Sequence, residues 1–251
     1  MKSRSILSLM LAGITMLTLA VCFTGCSSES KTETAEVEDV SLTTMLGESP
    51  EWVTKLDAAK DADQLVIVAA HEKTTAWVSM HEKDENGKWH MVLTTPGYIG
   101  RNGLGKTKEG DGKTPVGTYG FNAAFGIADD PGCAIPYTKA DGDTYWSGDV
   151  RKGMQYNKMV SIKDYPDLDK ENSEHILDYT RHYQYCLNIS YNEECDTKAG
   201  SAIFLHCLSP NKPATGGCVA IPMNQMKLLM QKVKPDCKVV IDSMDKLGAE
   251  F

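Results

Sequence analysis

The chain has 251 residues, 24% of them charged and 41% hydrophobic, with a formal net charge of −8. That balance suits one sizeable folded core. The acidity, with no basic cluster to offset it, excludes a nucleic-acid-binding face, which must displace phosphate counterions.

Lys2 and Arg4 precede an apolar run over residues 6–21. This is the pattern of an export signal. Phe23-Thr24-Gly25-Cys26 follows and resembles a bacterial lipobox, which makes residues 1–26 a lipoprotein-type signal peptide with Cys26 as the lipidation site. Ordinary cleavage nearby, or an uncleaved anchor, are the alternatives, since the run is nearly long enough to span a bilayer. All three place the rest of the chain outside the cytoplasm, attached to or facing away from the membrane. Residues 27–48 are acidic and poor in apolar side chains, and are expected to form a disordered tether.

Ser49-Pro50-Glu51 predicts a helix start, with Ser49 as N-cap and Pro50 at the first helical position, for one short helix ending near Lys60. Residues 65–70 (LVIVAA) and 74–83 read as strands, and Asn86-Gly87 as the hairpin turn into a return strand over 88–95. A glycine-rich stretch from 97 to 120 and a long irregular region to about His182 come next. Residues 183–192 and 201–208 are two more strands. Met223, Met226, Leu229, Met230 and Val233 mark a helix over 222–233 with a core-facing stripe, and residues 238–242 (KVVID) close as a strand. The expectation is one mainly β domain with small flanking helices, from about 64 to 243.

Residues 100–107 (GRNGLGKT) fit the phosphate-binding pattern GxxxxGK[ST]. That pattern works only where it opens a helix whose N-terminus meets the phosphates. Here KEGDGKTPVG follows, with glycines and a proline where the helix belongs, so no nucleotide is expected.

The chemistry-bearing stretch is residues 206–222, HCLSPNKPATGGCVAIP. A thiolate nucleophile needs a base beside it. His206 ends an apolar strand, and the loop behind it has the prolines and glycines to bring Cys218 back alongside. Gly216 and Gly217 before the cysteine let backbone N–H groups approach a carbonyl, as an oxyanion hole requires. Nucleophile, base and oxyanion donors together make acyl transfer. Two other readings use the same residues. His206, Cys207 and Cys218 would form a zinc site only if His206 and Cys207, neighbours on a strand, faced the same way. A Cys207–Cys218 disulfide would silence the thiol. Beyond the signal there are six cysteines, Cys133, Cys186, Cys195, Cys207, Cys218 and Cys237, with no CxxC spacing among them.

Residues 200–222, GSAIFLHCLSPNKPATGGCVAIP, resemble the L,D-transpeptidase (YkuD-like) family. KEGDGKTPVGTYGF, YWSGDVRKGMQYN and YQYCLNISYN resemble other segments of that family in the same order. The resemblance implies a β-sandwich with one or two small flanking helices and, here, an enlarged irregular middle insertion over 129–182. It implies an extracytoplasmic enzyme with no cofactor or metal, acting on peptidoglycan stem peptides. Cys218 would carry the acyl group and His206 would activate it, with a thiol more reactive near neutral pH than a free cysteine. Gly217 and Cys218 would give oxyanion N–H groups, with Gly216 and Thr215 positioning substrate. The acyl group would pass to an amine. Transfer to water, as in an L,D-carboxypeptidase, and a non-catalytic wall-binding lipoprotein are the alternatives. Many members have His at the position of Gly216 and Arg or Asn at that of Ala220, and Cys207 follows the base, so backbone is left to orient the imidazole. The insertion, with Tyr137, Tyr145, Trp146, Tyr156, Asp164, Tyr165 and Glu174, is either a cap packing its aromatics or a cleft wall offering carboxylates to amines.

Replacing Cys26 by Ala is expected to abolish lipid labelling of the protein in a bacterial host. Labelling that persists would contradict the lipobox reading.

Overall fold

Seven residues in a row, Gln64–Ala70, are buried and form strand β2. A strand buried on one face alternates; one buried on both does not. The computed structural model, which describes residues 46–209 and 211–250, shows why β2 is of the second kind. Val66, Val68 and Ala70 point into the main core, while Leu65, Ile67 and Ala69 point into a second cluster on the opposite face.

In chain order, β1 (Gly47–Glu48) is followed by α1 (Glu51–Thr54), α2 (Ala58–Asp61), β2, β3 (Thr75–Lys83), β4 (Trp89–Tyr98) and β5 (Gly117–Gly126). Next come β6 (Tyr137–Lys139), β7 (Thr144–Trp146), β8 (Met159–Ser161), β9 (Glu174–His175) and a 3₁₀ turn at Ile176–Tyr179. The chain ends with β10 (Cys186–Ile189), β11 (Phe204–Cys207), β12 (Val219–Ile221), α3 (Met223–Lys232), β13 (Lys238–Ser243) and α4 (Met244–Leu247). The fold is mainly β with short helices. Its principal sheet runs β1-β4-β12-β11-β10-β5-β13-β2-β3, and a further β3–β4 pairing closes it on itself. Closure removes most of the free edge. Most ladders are antiparallel, but β11–β12, β13–β2 and β5–β6 are parallel.

The closed sheet encloses the main core. Met226, Leu229 and Met230 of α3 and its C-cap residue Val233 pack into it, whereas Met223, expected on the same stripe, is 44% exposed. Gln64 ties the end of α3 to β2, donating to Lys232 O and accepting from Lys234 N. The second cluster lies under α1, α2 and α4. A third joins Phe125, Phe204 and Cys218 to Trp146 and Ile176 from the middle insertion and to Tyr183 just after it.

Several local expectations change. Residues 51–61 make two short helices, not one, and Pro50 takes the N-cap place. The Ser49 hydroxyl instead bonds His81 Nδ1 at 2.8 Å. Gly47 and Glu48, expected in the tether, pair with Met91 and His90. Strand β5, expected to lie in glycine-rich or irregular chain, sits at the centre of the sheet between β10 and β13. Glycine lowers strand propensity, which hid it. Gly126 is required there, because a Cβ would meet Gln184 O at 2.2 Å. Nor is the insertion wholly irregular: β7, β8 and β9 form a separate three-stranded sheet. Residues 1–26, the tether up to residue 45 and Cys26 lie outside the described residues.

His81 is fully buried, held between Ser49 and Ser79 hydroxyls, and burial lowers its pKa from 6.5 to about 4. As pH falls through that window the unfolded chain takes up a proton that folded His81 refuses, so stability drops. His206, also lowered to about 4, adds to this. Thermal midpoints should therefore fall between pH 6.5 and about 4.5. His81→Gln, which keeps partners for both hydroxyls, should make the fall shallower. An unchanged slope in the variant would contradict this account.

Candidate active site

Cys218 lies one residue before β12, and His206 is the third residue of β11. The two strands run parallel, with Leu205 opposite Val219 and His206 opposite Ala220. That register puts Cys218 level with Phe204, and the Phe204 N–H reaches Cys218 Sγ at 3.3 Å. Phe204 and His206 share a face because strand side chains alternate. Cys218 and His206 thus meet the same side of the sheet, on a diagonal between neighbouring strands. Both line one cavity of about 900 Å³, together with Thr215, Gly216, Trp146, Glu174 and Tyr183. The insertion packs its aromatics here, and Trp146 and Glu174 from it also line the cavity.

Cys207 faces the other way, into the main core, with its thiol toward Tyr185 O at 3.7 Å. His206 and Cys207 cannot share an ion from opposite faces, and no group of three or more metal-ligating side chains occurs among the described residues. Cys133, Cys186, Cys195, Cys207, Cys218 and Cys237 are all free thiols.

His206 Nδ1 lies 2.9 Å from Cys207 O. A carbonyl only accepts, so Nδ1 carries the proton and Nε2 is left with its lone pair. The backbone thus fixes the tautomer. Tyr183 and His182 pack edge-on against the ring, at centroid distances of 5.5 and 5.8 Å. Burial holds the imidazole neutral, with its pKa down at about 4.

The thiol is also neutral. Its proton is directed to Ala202 O, 3.1 Å away. Burial, with the negative charge of Glu174 second, pushes Cys218 up to about 12. Burial thus works against the expected reactivity of this thiol near neutral pH. The resting pair is thiol and imidazole, not thiolate and imidazolium, and no hydrogen bond joins them among those of the described residues.

The turn that presents Cys218 is pinned from two sides. Thr215 Oγ1 donates to Cys218 O at 2.6 Å and accepts from Gly217 N–H at 3.1 Å. Thr215 therefore shapes the turn, although expected to position substrate. The Gly217 amide, expected as an oxyanion donor, is occupied by this hydroxyl. Gly217 has φ +148°, and a Cβ there would lie 2.8 Å from Lys113 O, so only glycine fits. Gly216 is exposed on the cavity side, with room for a side chain.

From the other side comes Thr114, fully buried. Its Oγ1 accepts from Gly100 N–H at 2.9 Å and donates to Gly217 O at 2.7 Å. This holds the glycine-rich loop against the cysteine turn. No helix follows residues 100–107: Lys106, where a nucleotide-binding lysine would stand, is buried and pairs with Asp111 at 3.3 Å. Burial opposes ionisation of Asp111, but the N–H groups of Thr107, Lys113 and Lys108 hold it at about 2. Sequence reasoning missed Thr114, Lys106 and Asp111 as parts of the site. The Thr114–Gly217 bond spans 103 positions, and no local pattern signals it.

A family model described as the L,D-transpeptidase catalytic domain (YkuD) matches residues 63–241. No curated protein matches. Two solved structures are similar. The helical cell shape determining protein Pgp2 from Campylobacter jejuni is 17% identical with a TM-score of 0.39, over 76% of this chain and 54% of that one. The Ldtfm–avibactam carbamoyl enzyme is 15% identical with a TM-score of 0.34, over 72% of this chain and 49% of that one. The chain spans about half the length of these structures.

Thr114→Val keeps the shape of the side chain and removes the bridging hydroxyl, leaving Gly100 N–H and Gly217 O without it. Unfolding free energy should drop by about 1–3 kcal/mol, the cost of stranding buried polar groups. Denaturant titration measures it, and a loss below about 0.5 kcal/mol would show that the bridge does not hold the turn.

Proposed function

The chain belongs to the L,D-transpeptidase (YkuD) catalytic-domain family, and from that premise we propose that it is an extracytoplasmic cysteine acyltransferase that forms an acyl-enzyme with a peptidoglycan stem peptide and passes it to an amine. The family acts on such peptides, outside the cytoplasm. One observation carries the reading: Cys218 and His206 open into one cavity, and the proton on Nδ1 is fixed, so that Nε2 is the basic atom.

The chemistry follows from two neutral partners. The stem peptide's scissile carbonyl enters the cavity, and Cys218 Sγ attacks its carbon. The thiol proton leaves Ala202 O and passes to His206 Nε2 as the S–C bond forms. Bond formation and proton transfer are coupled, because burial opposes a free thiolate or imidazolium. The oxyanion is met by backbone N–H groups of the 216–218 turn, with that of Gly217 supplied only if Thr215 gives up its hydrogen bond. Collapse breaks the C–N bond, the departing amine takes the proton from Nε2, and a thioester remains on Cys218. An acceptor amine then attacks the thioester, gives its proton to Nε2, and the thiol re-forms. Water in place of the amine would make the same site an L,D-carboxypeptidase. Lipidation at Cys26, with residues 27–46 as spacer, would hold this domain at the membrane beside its substrate.

Assay of the purified domain with muropeptides tests this. Cys218→Ala should abolish product. His206→Ala should slow acylation by about 10²–10⁴-fold, the usual loss for a general base. Cys207→Ser, on the core side of the strand, should stay active. Full activity in Cys218→Ala would overturn the mechanism. Binding of wall fragments without any product would favour a non-catalytic role instead.

A further inference from the structure

We propose that Glu174 is the cavity's receptor for a primary ammonium group of the substrate, a specificity role that rests on the stem-peptide reading above. Glu174 is on β9 in the insertion, opposite Trp146 of β7, and lines the cavity with Cys218. Tyr183 donates its hydroxyl to Glu174 Oε2 at 2.5 Å. Oε1 accepts no hydrogen bond from the described residues.

The other carboxylates of the wall are spoken for. Glu109 Oε2 takes Tyr156 OH at 3.1 Å and both N–H and hydroxyl of Ser201 at 2.8 and 3.0 Å, and its Oε1 takes Gly110 N–H at 3.0 Å. Asp169 holds Asn172 through both oxygens. Lys106 is committed to Asp111. Glu174 alone among these three carboxylates keeps an oxygen without a protein donor.

It also lacks a cation. Burial first, then the charge of Glu109, raise its pKa to about 7, and only the Tyr183 hydroxyl acts against them. A half-buried carboxyl with no counter-charge is a poor structural element, since desolvation is uncompensated. A bound ammonium compensates it: the carboxyl ionises, Oε1 accepts an N⁺–H hydrogen bond, and the negative charge is neutralised where it otherwise opposes ionisation of Cys218. Thiols and neutral groups gain nothing from such a receptor. Two sources carry this chemistry, a side-chain amine on the stem peptide that acylates Cys218 and the acceptor amine, which binds as the ammonium and leaves one proton on the Glu174 carboxylate before its lone pair attacks the thioester.

The test separates them with internal ratios. A stem tetrapeptide with a free side-chain amine at its third residue is compared with the same peptide N-acetylated there, by mass spectrometry of the Cys218 adduct. The acyl-enzyme is then partitioned between an added primary amine and water. Wild type should favour the ammonium-bearing species by about 10- to 100-fold in at least one ratio, the worth of a hydrogen bond to a charged group. Glu174→Gln should bring that ratio close to one, and Glu174→Asp, which keeps the charge, should restore part of it. Because misfolding lowers both rates together, it leaves the ratios intact. Loss confined to the first ratio assigns the donor peptide's amine, and loss confined to the second assigns the acceptor. Wild-type ratios near one, or ratios unchanged in Glu174→Gln, overturn this inference alone. No adduct on wild type with either peptide overturns the acyltransferase reading, and this inference with it.

Discussion

The site depends on a steric fit at Gly217. The turn carrying Cys218 passes so close to Lys113 O that a Cβ would stand 2.8 Å from it. That contact lets Thr114 reach Gly217 O on one side while Thr215 reaches Cys218 O from within the turn. Cys218 is thereby set just ahead of β12, level with Phe204. Gly100 answers the same constraint from the other strand of chain, since a Cβ there would meet Gly112 O at 2.4 Å. A loop with the spacing of a phosphate-binding motif is in fact the clamp on a cysteine.

The double-faced strands set the electrostatics. Strand β11 lies between two clusters, with Leu205 and Cys207 in the main core and Phe204 in the aromatic cluster under the insertion. His206 and Cys218 therefore sit where charge is costly, and both rest neutral. In the proposed reaction the proton therefore moves from sulfur to nitrogen as the bond to carbon forms, without a free ion pair. The fixed tautomer matters for that reason. Without that bond either ring nitrogen could carry the proton, whereas the Cys207 carbonyl keeps it on Nδ1 and leaves Nε2 its lone pair.

Much of the frame is legible in the sequence. The apolar run of β2, the Asn86-Gly87 turn, the stripe of α3 and the KVVID strand all have local signals, because each is decided by side chains within a few positions. The juxtaposition of His206 and Cys218 is also suggested, by a strand end followed by a loop rich in proline and glycine. Long-range decisions are not legible. The glycines of β5 look like loop until Gln184 O is seen against Gly126. The single hydroxyl of Thr114 joins residues 103 apart, and the Gly217 amide is free or taken depending on a Thr215 rotamer. Glu174 is visible as an acid in the insertion, but its vacant oxygen is not.

The central claim is that Cys218, and no other thiol, carries the acyl group. The direct measurement is to incubate the protein with a stem tetrapeptide, quench in acid, digest, and locate the added mass. The account predicts a thioester on the peptide that contains Cys218, with Cys186 and Cys207 unmodified. A thioester on either of those buried thiols, or none on Cys218 while substrate is consumed, would contradict it.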